Sequence, residues 1–295
     1  MKIIEWNLHF AGDKSIEKLP QFVFEYLASQ KADIIVLTET VKGKAIENLL
    51  EKLGTDVYRL FFSKSRDGDY ANGVCIFAKT KMKPKFISDG LDITDDPDMV
   101  HIEVQENYKK YNIIGNRIRV DTKFYQEPLD YIFRNKQSDN LLSYALQFQN
   151  VIVIGDQNTG TIHCRDDLNS HYRDYQSLYK GKSREYYNAH LLKEKAEEKG
   201  FTLKEPQGMN ASVGIIFEGG NSRFIDNWKT KIDLVYCSDN IEFTAEYKDD
   251  FLNNNQTEYY ALSRISGNGK RICGHGCPDH AVLMVDLYND KTIKE

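Results

Sequence analysis

Short runs of consecutive apolar residues recur along the chain, and each of them stops at a polar side chain. The clearest run occupies residues 151–154 and leads directly into Gly155, Asp156, Gln157 and Asn158. Because every position in this run is apolar and β-branched, it predicts a strand that is buried on both faces. Further apolar runs predict strands at 2–6, 34–38, 231–236 and 281–287.

Segments with an apolar stripe at helical spacing alternate with these strands. They predict helices over 15–30, 44–53, 129–149 and 189–199, with the first helix beginning near Leu19 and Pro20 in its first turn. Additional strands are predicted at 58–62, 73–78, 85–88, 100–105 and 111–118. Since helices and strands interleave, we expect one domain of mixed α/β layers over residues 1–295, with a polar surface insertion at about 159–188.

Composition narrows the class of protein. The chain has 295 residues, a hydrophobic fraction of 41% and a net charge of −5, which argues against a general polyanion-binding surface but not against a local basic groove. Five scattered cysteines argue against a disulfide framework. No apolar run reaches membrane-spanning length and no signal peptide is recognisable, so we expect a cytoplasmic protein that does not bind membranes.

Polar side chains follow the apolar runs where the predicted strands begin or end. If these strand ends meet, the carboxylates among them repel one another unless a cation lies between them. Oxygen ligands of this kind suit Mg²⁺ or Mn²⁺ rather than zinc. Carboxylates with a histidine and an arginine nearby fit the attack of water on a phosphate ester. The candidate residues are Asn7, Glu39, Arg117, Asp156, Asn158, Asp233, Asp279 and His280.

Five short motifs stand in order along the chain: Trp6-Asn7, Thr38-Glu39, Gly155-Asp156-Gln157-Asn158, Ile232-Asp233 and Asp279-His280. Together they resemble the endonuclease/exonuclease/phosphatase superfamily, which includes DNase I, exonuclease III-type endonucleases, deadenylases, sphingomyelinases and inositol polyphosphate 5-phosphatases. The resemblance implies a DNase I-like, four-layer α/β sandwich. In such a fold two mixed β-sheets pack face to face, with helices outside.

The resemblance also implies a metal centre. Glu39 matches the direct metal ligand, and Asn7 matches its neighbour at the metal and the scissile phosphate. Asp279 lies beside the metal-binding position. The expected ion is Mg²⁺ or Mn²⁺.

Catalytic roles are implied in the same way. Asp156 and Asn158 match the pair that orients the nucleophilic water and contacts the phosphate. His280 matches the catalytic histidine, and Asp233 resembles the carboxylate that holds its ring. These residues, together with Asn7, form the predicted catalytic set.

Two positions depart from the pattern of better-known members. Arg117 stands where many members carry His or Tyr facing the phosphate, and we expect its guanidinium to bind two phosphate oxygens. The alternative is that Arg117 only pairs with Glu39, Asp156 or Asp279. His9 stands where some members have Asp and others Arg, and we assign it to substrate binding.

Basic residues outside the motifs suggest further substrate contacts. Lys180, Lys182 and Arg184 lie among tyrosines in the predicted insertion, a mixture that proteins binding single-stranded nucleic acid often use. Plain surface is the alternative for this segment. Lysines alternate between positions 79 and 85, which predicts either a solvated edge, the favoured interpretation, or a track for phosphates.

A short segment with two cysteines and a histidine, Cys273 to Cys277, could suggest a zinc knuckle. Its alternating spacing lacks a fourth ligand nearby. A glycine-rich loop that carries reduced thiols is therefore favoured.

The favoured function is a metal-dependent phosphodiesterase that hydrolyses nucleic acid, with DNA as the preferred substrate. The first alternative is an enzyme of the same fold that acts on an inositol phosphate, a phospholipid or a small nucleotide. Against the inositol phosphatases, residues 227–233 lack the Pro-x-Trp-Cys-Asp-Arg signature. A non-catalytic binding module is less favoured, because a scaffold has no need of the intact acidic residues and histidine.

Overall fold

Two mixed β-sheets pack face to face and carry helices on their outer faces. The computed structural model describes residues 1–10, 13–65, 72–93, 95–120, 128–162, 189–208, 215–224 and 230–288. The strands are β1 (Lys2–Asn7), β2 (Ile34–Thr40), β3 (Tyr58–Phe62), β4 (Gly73–Lys79), β5 (Lys85–Ser88), β6 (Asp98–Glu106), β7 (Lys109–Arg117), β8 (Val151–Ile162), β9 (Phe201–Leu203), β10 (Gln207–Gly208), β11 (Ile215–Glu218), β12 (Asn221–Phe224), β13 (Thr230–Ser238), β14 (Phe243–Lys248), β15 (Arg264–Ile265), β16 (Arg271–Ile272) and β17 (Val282–Leu287).

The helices connect and cover these strands. The α-helices are α1 (Gln21–Gln30), α2 (Lys44–Leu53), α3 (Pro128–Ala145), α4 (Ala189–Glu198) and α5 (Gln256–Ala261), and 3₁₀ turns occupy Thr80–Met82 and Asp250–Leu252. The first sheet has the strand order β10-β14-β17-β1-β2-β4-β3, and the second has β5-β6-β7-β8-β13-β9. The pairs β11-β12 and β15-β16 form separate two-stranded sheets.

Both sheets are mixed. The pairs β1-β2 and β10-β14 in the first sheet and β7-β8 in the second run parallel, whereas their other strands pair antiparallel. Parallel neighbours need a crossover connection, usually a helix. Helix α1 lies between β1 and β2 in the chain, and α3 lies between β7 and β8. The interleaved pattern seen in the sequence therefore corresponds to the two crossovers.

Three apolar clusters fill the spaces between the layers. One lies between the sheets and includes Ile3, Val36 and Ile154; we call it the inter-sheet core. A second packs α1 and α2 on the outer face of the first sheet, and a third packs α3 and α4 on the outer face of the second. The predicted four-layer α/β sandwich is confirmed. Each large apolar side chain buried in these clusters contributes about 1.5–3 kcal/mol to folding.

Two glycines permit close backbone packing next to the predicted site residues. A Cβ atom on Gly115 of β7 would lie 2.8 Å from Cγ1 of Val36 on the facing sheet. Gly155 of β8 has a φ of 153°, and a Cβ atom there would meet the Asn116 carbonyl oxygen at 1.8 Å. No side chain fits at position 155, which lets β7 and β8 approach each other just before Asp156.

Some predicted boundaries differ from the structure. Helix α2 and strands β3 and β5 have the predicted bounds, but Pro20 precedes α1 and, with a ψ of 143°, is not part of the helix. Strand β8 continues to Ile162 because it pairs with β13 as far as Thr230. Residues 163–188, the rest of the predicted insertion, lie outside the described ranges.

The expectation of one extended segment carrying alternating lysines between 79 and 85 is wrong. A 3₁₀ turn interrupts it at Thr80–Met82, and Lys83 has a left-handed φ of 49°. The Nζ atoms of Lys79 and Lys81 each lie 3.1 Å from Oδ1 of Asp33. These two lysines therefore pair with a carboxylate rather than forming a track.

Candidate active site

The candidate site lies where the inter-sheet core reaches one end of the strands. Successive side chains of a strand point to opposite faces. On β8, Ile152 and Ile154 belong to the inter-sheet core and Val151 and Val153 to the outer layer, so Asp156 continues the inner row. The inner rows of β1, β7 and β13 end in the same way, on Asn7, Arg117 and Asp233.

Strand register brings three of these side chains together. Arg117 of β7 is opposite Asp156 of β8, and Asp156 is opposite Asp233 of β13. Opposed residues of neighbouring strands have Cβ atoms about 4.5–5.5 Å apart. Motifs that are far apart in the sequence are therefore neighbours in one row across the second sheet.

Glu39 reaches the site from the first sheet through an irregularity in β2. The register between β2 and β4 shifts between Leu37 and Thr40, and Glu39 has a left-handed φ of 50°. Irregularities of this kind redirect side chains beside active sites. Arg117 donates from Nη2 to Glu39 Oε1 at 3.1 Å and from Nη1 to Asp98 Oδ2 at 3.3 Å. Arg117 thus bridges the two sheets, and Asp98 is a partner that the sequence did not indicate.

Charge pairing keeps Glu39 ionised in a buried position. Burial acts to raise its pKa, but the attraction of Arg117, together with His9 and His280, outweighs burial and lowers the pKa below its ordinary value. Burial acts in the opposite sense on Arg117, and the carboxylates of Glu39 and Asp98 raise its pKa in spite of it. Both members of the pair therefore carry their charges.

His280 is held by a buried carboxylate. Its Nδ1 lies 2.6 Å from Asp233 Oδ2. Two aromatic donors fix the neighbouring backbone: Tyr247 Oη donates to the Asp233 carbonyl at 2.6 Å, and Trp6 Nε1 donates to the His280 carbonyl at 3.0 Å. Burial lowers the pKa of His280, but Asp233 more than compensates and the pKa is raised well above its ordinary value. Since Nδ1 is engaged, Nε2 is the other nitrogen, 3.6 Å from Asp279 Oδ1.

Asp156 is surrounded by amide donors. Asn7 Nδ2 donates to Asp156 Oδ2 at 3.2 Å, and the Asn158 N–H donates to Oδ1 at 2.8 Å. The Asn158 side chain donates from Nδ2 to Asp156 Oδ2 at 3.1 Å and to the Ile118 carbonyl at 2.7 Å. With both amide hydrogens engaged, Asn158 offers its Oδ1 acceptor to an incoming water.

His9 and Asp279 lie at the rim of the site. His9 Nδ1 is 3.9 Å from Asp279 Oδ2, and the His9 ring is 5.9 Å from the His275 ring in an edge-to-face arrangement. Cys273 and Cys277 are buried free thiols, and burial raises the pKa of Cys277 to about 12. The cysteine-histidine segment therefore packs beneath the rim and carries reduced thiols.

Glu5 is an acidic residue of the site that the motifs did not single out. It is fully buried on the inner row of β1, two residues before Asn7, and its Oε1 accepts a hydrogen bond from Thr38 Oγ1 at 2.8 Å. Burial, and then repulsion by Asp233, raise its pKa well above the ordinary value. Strand alternation could have found it, because Glu5 interrupts an apolar inner row.

Helix α3 braces the two central strands from outside. The Arg119 N–H donates to Gln137 Oε1, and Gln137 Nε2 donates to the Arg119 carbonyl, both at 2.8 Å. Arg134, one turn earlier on α3, donates to the Asn158 carbonyl and to the Asp130 carboxylate. Arg134 and Gln137 are buried, so α3 fixes the backbone beyond β7 and the backbone at Asn158.

The acidic groups of the site fit a bound cation in their chemistry. Burial, and then repulsion by Asp233, raise the pKa of Asp156 to about 7, and a cation would relieve that repulsion. Glu39, Asn7 and Asp279 supply oxygen donors of the type that Mg²⁺ uses. Across the described ranges, no group of three or more His, Cys, Asp or Glu side chains is already arranged to hold a metal ion. The fit therefore rests on donor type and on carboxylate crowding.

Three of the predicted substrate contacts are not part of this geometry. Lys180, Lys182 and Arg184 lie outside the described residues. Among the helices that the structure describes, none is long and apolar enough to span a membrane.

Comparison with known proteins decides the family. The model of the endonuclease/exonuclease/phosphatase family matches residues 4–252, a range that contains four of the five motifs and ends before Asp279-His280. The chain belongs to this family. The predicted membership is confirmed, and the chain is a hydrolase of phosphate esters. No curated protein sequence matches it.

Solved structures of the endonuclease/exonuclease/phosphatase fold are similar over almost the whole chain. A family protein from Leptotrichia buccalis is 14% identical with a TM-score of 0.57, covering 98% of this chain and 100% of its own. TDP2 from D. rerio, complexed with a single-strand DNA product, is 14% identical with a TM-score of 0.55, covering 98% and 99%. The endonuclease domain of TRAS1, a telomere-specific non-LTR retrotransposon, is 12% identical with a TM-score of 0.53, covering 98% and 99%. At these identities the likeness shows a shared fold.

Proposed function

We propose that this chain is a divalent-metal-dependent phosphodiesterase that hydrolyses nucleic acid, with DNA as the preferred substrate. The observation that carries the proposal is the convergence of Arg117, Asp156 and Asp233 with His280 and Glu39 at one end of the inter-sheet core. Family membership supplies the reaction class. Nucleic acid is favoured because TDP2 from D. rerio was solved with single-strand DNA and the TRAS1 domain is an endonuclease, and both share this fold.

Asp156 is the residue best suited to accept a proton from the attacking water. A general base works best when its pKa is near the operating pH, and burial with repulsion raises the pKa of Asp156 to about 7. Asn158 Oδ1 accepts the second hydrogen of the same water and so fixes its orientation. The water oxygen then forms a bond to phosphorus while the phosphorus–oxygen ester bond on the opposite side breaks.

His280 and Arg117 bind the phosphate. His280 donates from Nε2 to a phosphate oxygen, and its raised pKa keeps the ring protonated and able to do so. Asp233 holds the ring through Nδ1 and stabilises its positive charge. Arg117 adds a second permanent charge where negative charge increases in the transition state.

Glu39, Asn7 and Asp279 are the residues that would hold the metal ion. A bound Mg²⁺ or Mn²⁺ neutralises charge on the phosphate oxygens. Its oxygen ligands would come from both sheets, since Glu39 belongs to β2 and Asp279 precedes β17 in the first sheet while Asp156 belongs to the second.

One panel of labelled substrates tests the proposal. It contains duplex DNA, single-stranded DNA, abasic DNA, RNA, inositol phosphates and phospholipid vesicles, each assayed with Mg²⁺, with Mn²⁺ and with chelator. We expect metal-dependent hydrolysis of DNA, lost in His280→Ala and retained in Asp286→Asn, a control at an exposed acidic residue of β17. Full activity after exhaustive chelation would contradict the metal mechanism. Hydrolysis of inositol phosphate or lipid without nucleic acid would favour the small-phosphoester alternative.

A further inference from the structure

An open cavity of about 190 Å³ begins one residue beyond Glu39 on the first sheet. Its walls come from the loop after β1, the end of β2, the loop after β3 and the start of β4. Thr40 lines the cavity, and its Oγ1 donates to the Gly73 carbonyl at 3.3 Å. The cavity is therefore contiguous in the backbone with the strand end that carries Glu39.

The cavity is basic although the chain as a whole is acidic. Lys14, Lys42 and Lys64 come to it from three separate loops, and Ser63 and Ser65 add hydroxyl groups. None of the described residues that line it is an Asp or a Glu. In a protein with a net charge of −5, three lysines around one hollow make a local site for an anion.

Contacts within the cavity fix part of this arrangement. The Lys42 Nζ lies 5.7 Å from the centroid of the Phe62 ring, a cation–π contact that holds the ammonium by one side and leaves its hydrogens able to bind an anion. Lys64 is already paired with Asp92, with an Nζ to Oδ1 distance of 2.8 Å. Lys42 and Lys14 are therefore the two cations on which anion binding depends most.

The floor of the cavity is kept open by a glycine. Ser63 Oγ accepts a hydrogen bond from the Val74 N–H at 3.0 Å, and its hydroxyl hydrogen can still be donated. A Cβ atom on Gly73 would approach Ser63 Oγ to 2.5 Å and would narrow this space. The hydroxyl thus faces the cavity across a residue without a side chain.

We propose that this cavity is a subsite for a backbone phosphate of the nucleic-acid strand, next to the phosphate that is cleaved. The inference rests on the proposed function and adds where the substrate strand runs. Pockets that enclose a whole small molecule measure roughly 300–1,000 Å³. A hollow of about 190 Å³ instead suits one phosphate with part of its sugar. The strand would pass from Glu39, over the β2 irregularity, to Lys14 and Lys42.

A double substitution tests the subsite. Lys14→Ala/Lys42→Ala removes both cations, and Lys109→Ala/Lys110→Ala is the matched control with the same change in charge. The control lysines lie in the β6–β7 hairpin, where Lys109 pairs with Glu106, at the opposite end of these strands from Arg117. Binding of a labelled single-stranded oligonucleotide is measured in the His280→Ala background with Mg²⁺ over a range of salt. Turnover of a p-nitrophenyl phosphodiester is measured without that background.

We expect the double variant at the cavity to bind about tenfold more weakly at low salt. The slope of log affinity against log salt should fall by about 1.4, the value for two lost contacts to a single strand. Turnover of the small ester should be unchanged, because this ester does not reach the cavity. The control should keep the wild-type affinity and slope.

Three results would overturn the subsite. One is an affinity and salt slope indistinguishable from the control. Another is an equal loss of small-ester turnover, which would assign the lysines to the catalytic centre. The third is a higher KM for an inositol phosphate with unchanged oligonucleotide binding. A protein that binds the oligonucleotide through these lysines but cleaves no nucleic acid would refute the proposed function and still support the subsite.

Discussion

Replacing Arg117 tests whether its guanidinium acts on the phosphate or only holds the empty site together. Arg117 is 7% exposed and lies between the carboxylates of Glu39 and Asp98, and Asp98 is 2% exposed. Removing one partner of a buried ion pair costs about 3–5 kcal/mol, because a charge is left uncompensated. At about 2 °C per kcal/mol for a chain of this size, Arg117→Met should lower Tm by about 6–10 °C.

Arg117→Lys is the more informative change. A lysine keeps the charge but cannot direct two nitrogens at Glu39 and Asp98 as the guanidinium does. We expect it to lose about one charge-assisted hydrogen bond, or about 1.5–3 kcal/mol of stability. If Arg117 also clamps the phosphate, turnover per folded molecule should fall about ten- to a thousandfold.

The assay compares Tm with kcat measured well below Tm, so that unfolding does not enter the rate. Asp98→Asn is the control, since it weakens the same ion pair and removes no group that could contact the phosphate. It should lose stability and keep turnover per folded molecule within about threefold. If Arg117→Lys behaves as Asp98→Asn does, with lower Tm and preserved turnover, the phosphate clamp is refuted and the purely structural role is correct.

Three further outcomes are expected. His280→Ala should lower kcat at least about a hundredfold, and Asp233→Asn should do the same through a misoriented ring; near-normal turnover of either variant would contradict the assigned roles. The metal-free protein should lose stability as pH rises. Asp156 keeps its proton to about pH 7 in the folded state but only to about 3.8 in the unfolded state, and the raised pKa of His280 favours folding below its ordinary 6.5 and loses that effect as pH passes the folded value. Mg²⁺ should reduce this loss, and a Tm that is independent of pH with or without Mg²⁺ would count against the crowding of carboxylates. Gln137→Leu strips both hydrogen bonds from the Arg119 backbone and should cost about 1–3 kcal/mol and raise KM more than it lowers kcat; an unchanged Tm and KM would remove α3 from the positioning of the site.

The strands that carry the site could be predicted because they are buried on both faces. An uninterrupted apolar run has one simple explanation, and residues 34–38 and 151–154 both belong to strands of the sandwich. The polar residues at the ends of such strands are fixed by the core, so Glu39 and Asp156 could be selected from the sequence. The short strands β9, β10, β11, β12, β15 and β16 were not predicted, since two to four residues carry no readable periodicity.

The supporting residues were missed for a different reason. Gln137 and Arg134 are buried on α3 because they bond to backbone groups of the site, not because they are apolar. A pattern search for an apolar stripe passes over polar residues on the buried face of a helix. Asp98 escaped for the same reason, since its burial follows from its pairing with Arg117, which lies opposite it on β7.

Local chemistry at two strand ends explains how buried strands become a site. The Asn7 side chain accepts a hydrogen bond from the His9 N–H at 2.9 Å, and the Asp156 side chain accepts one from the Asn158 N–H at 2.8 Å. Both are turns in which an Asn or Asp caps the backbone two residues on, and they hold His9 and Asn158 at left-handed φ values of 51° and 44°. Left-handed conformations cost about 1–3 kcal/mol each at non-glycine residues, so the site retains them against a local preference. Asp156 therefore fixes the turn through Oδ1 while Oδ2 accepts from Asn7. An asparagine at 156 keeps an Oδ1 acceptor for the turn and removes the base, whereas an alanine loses both.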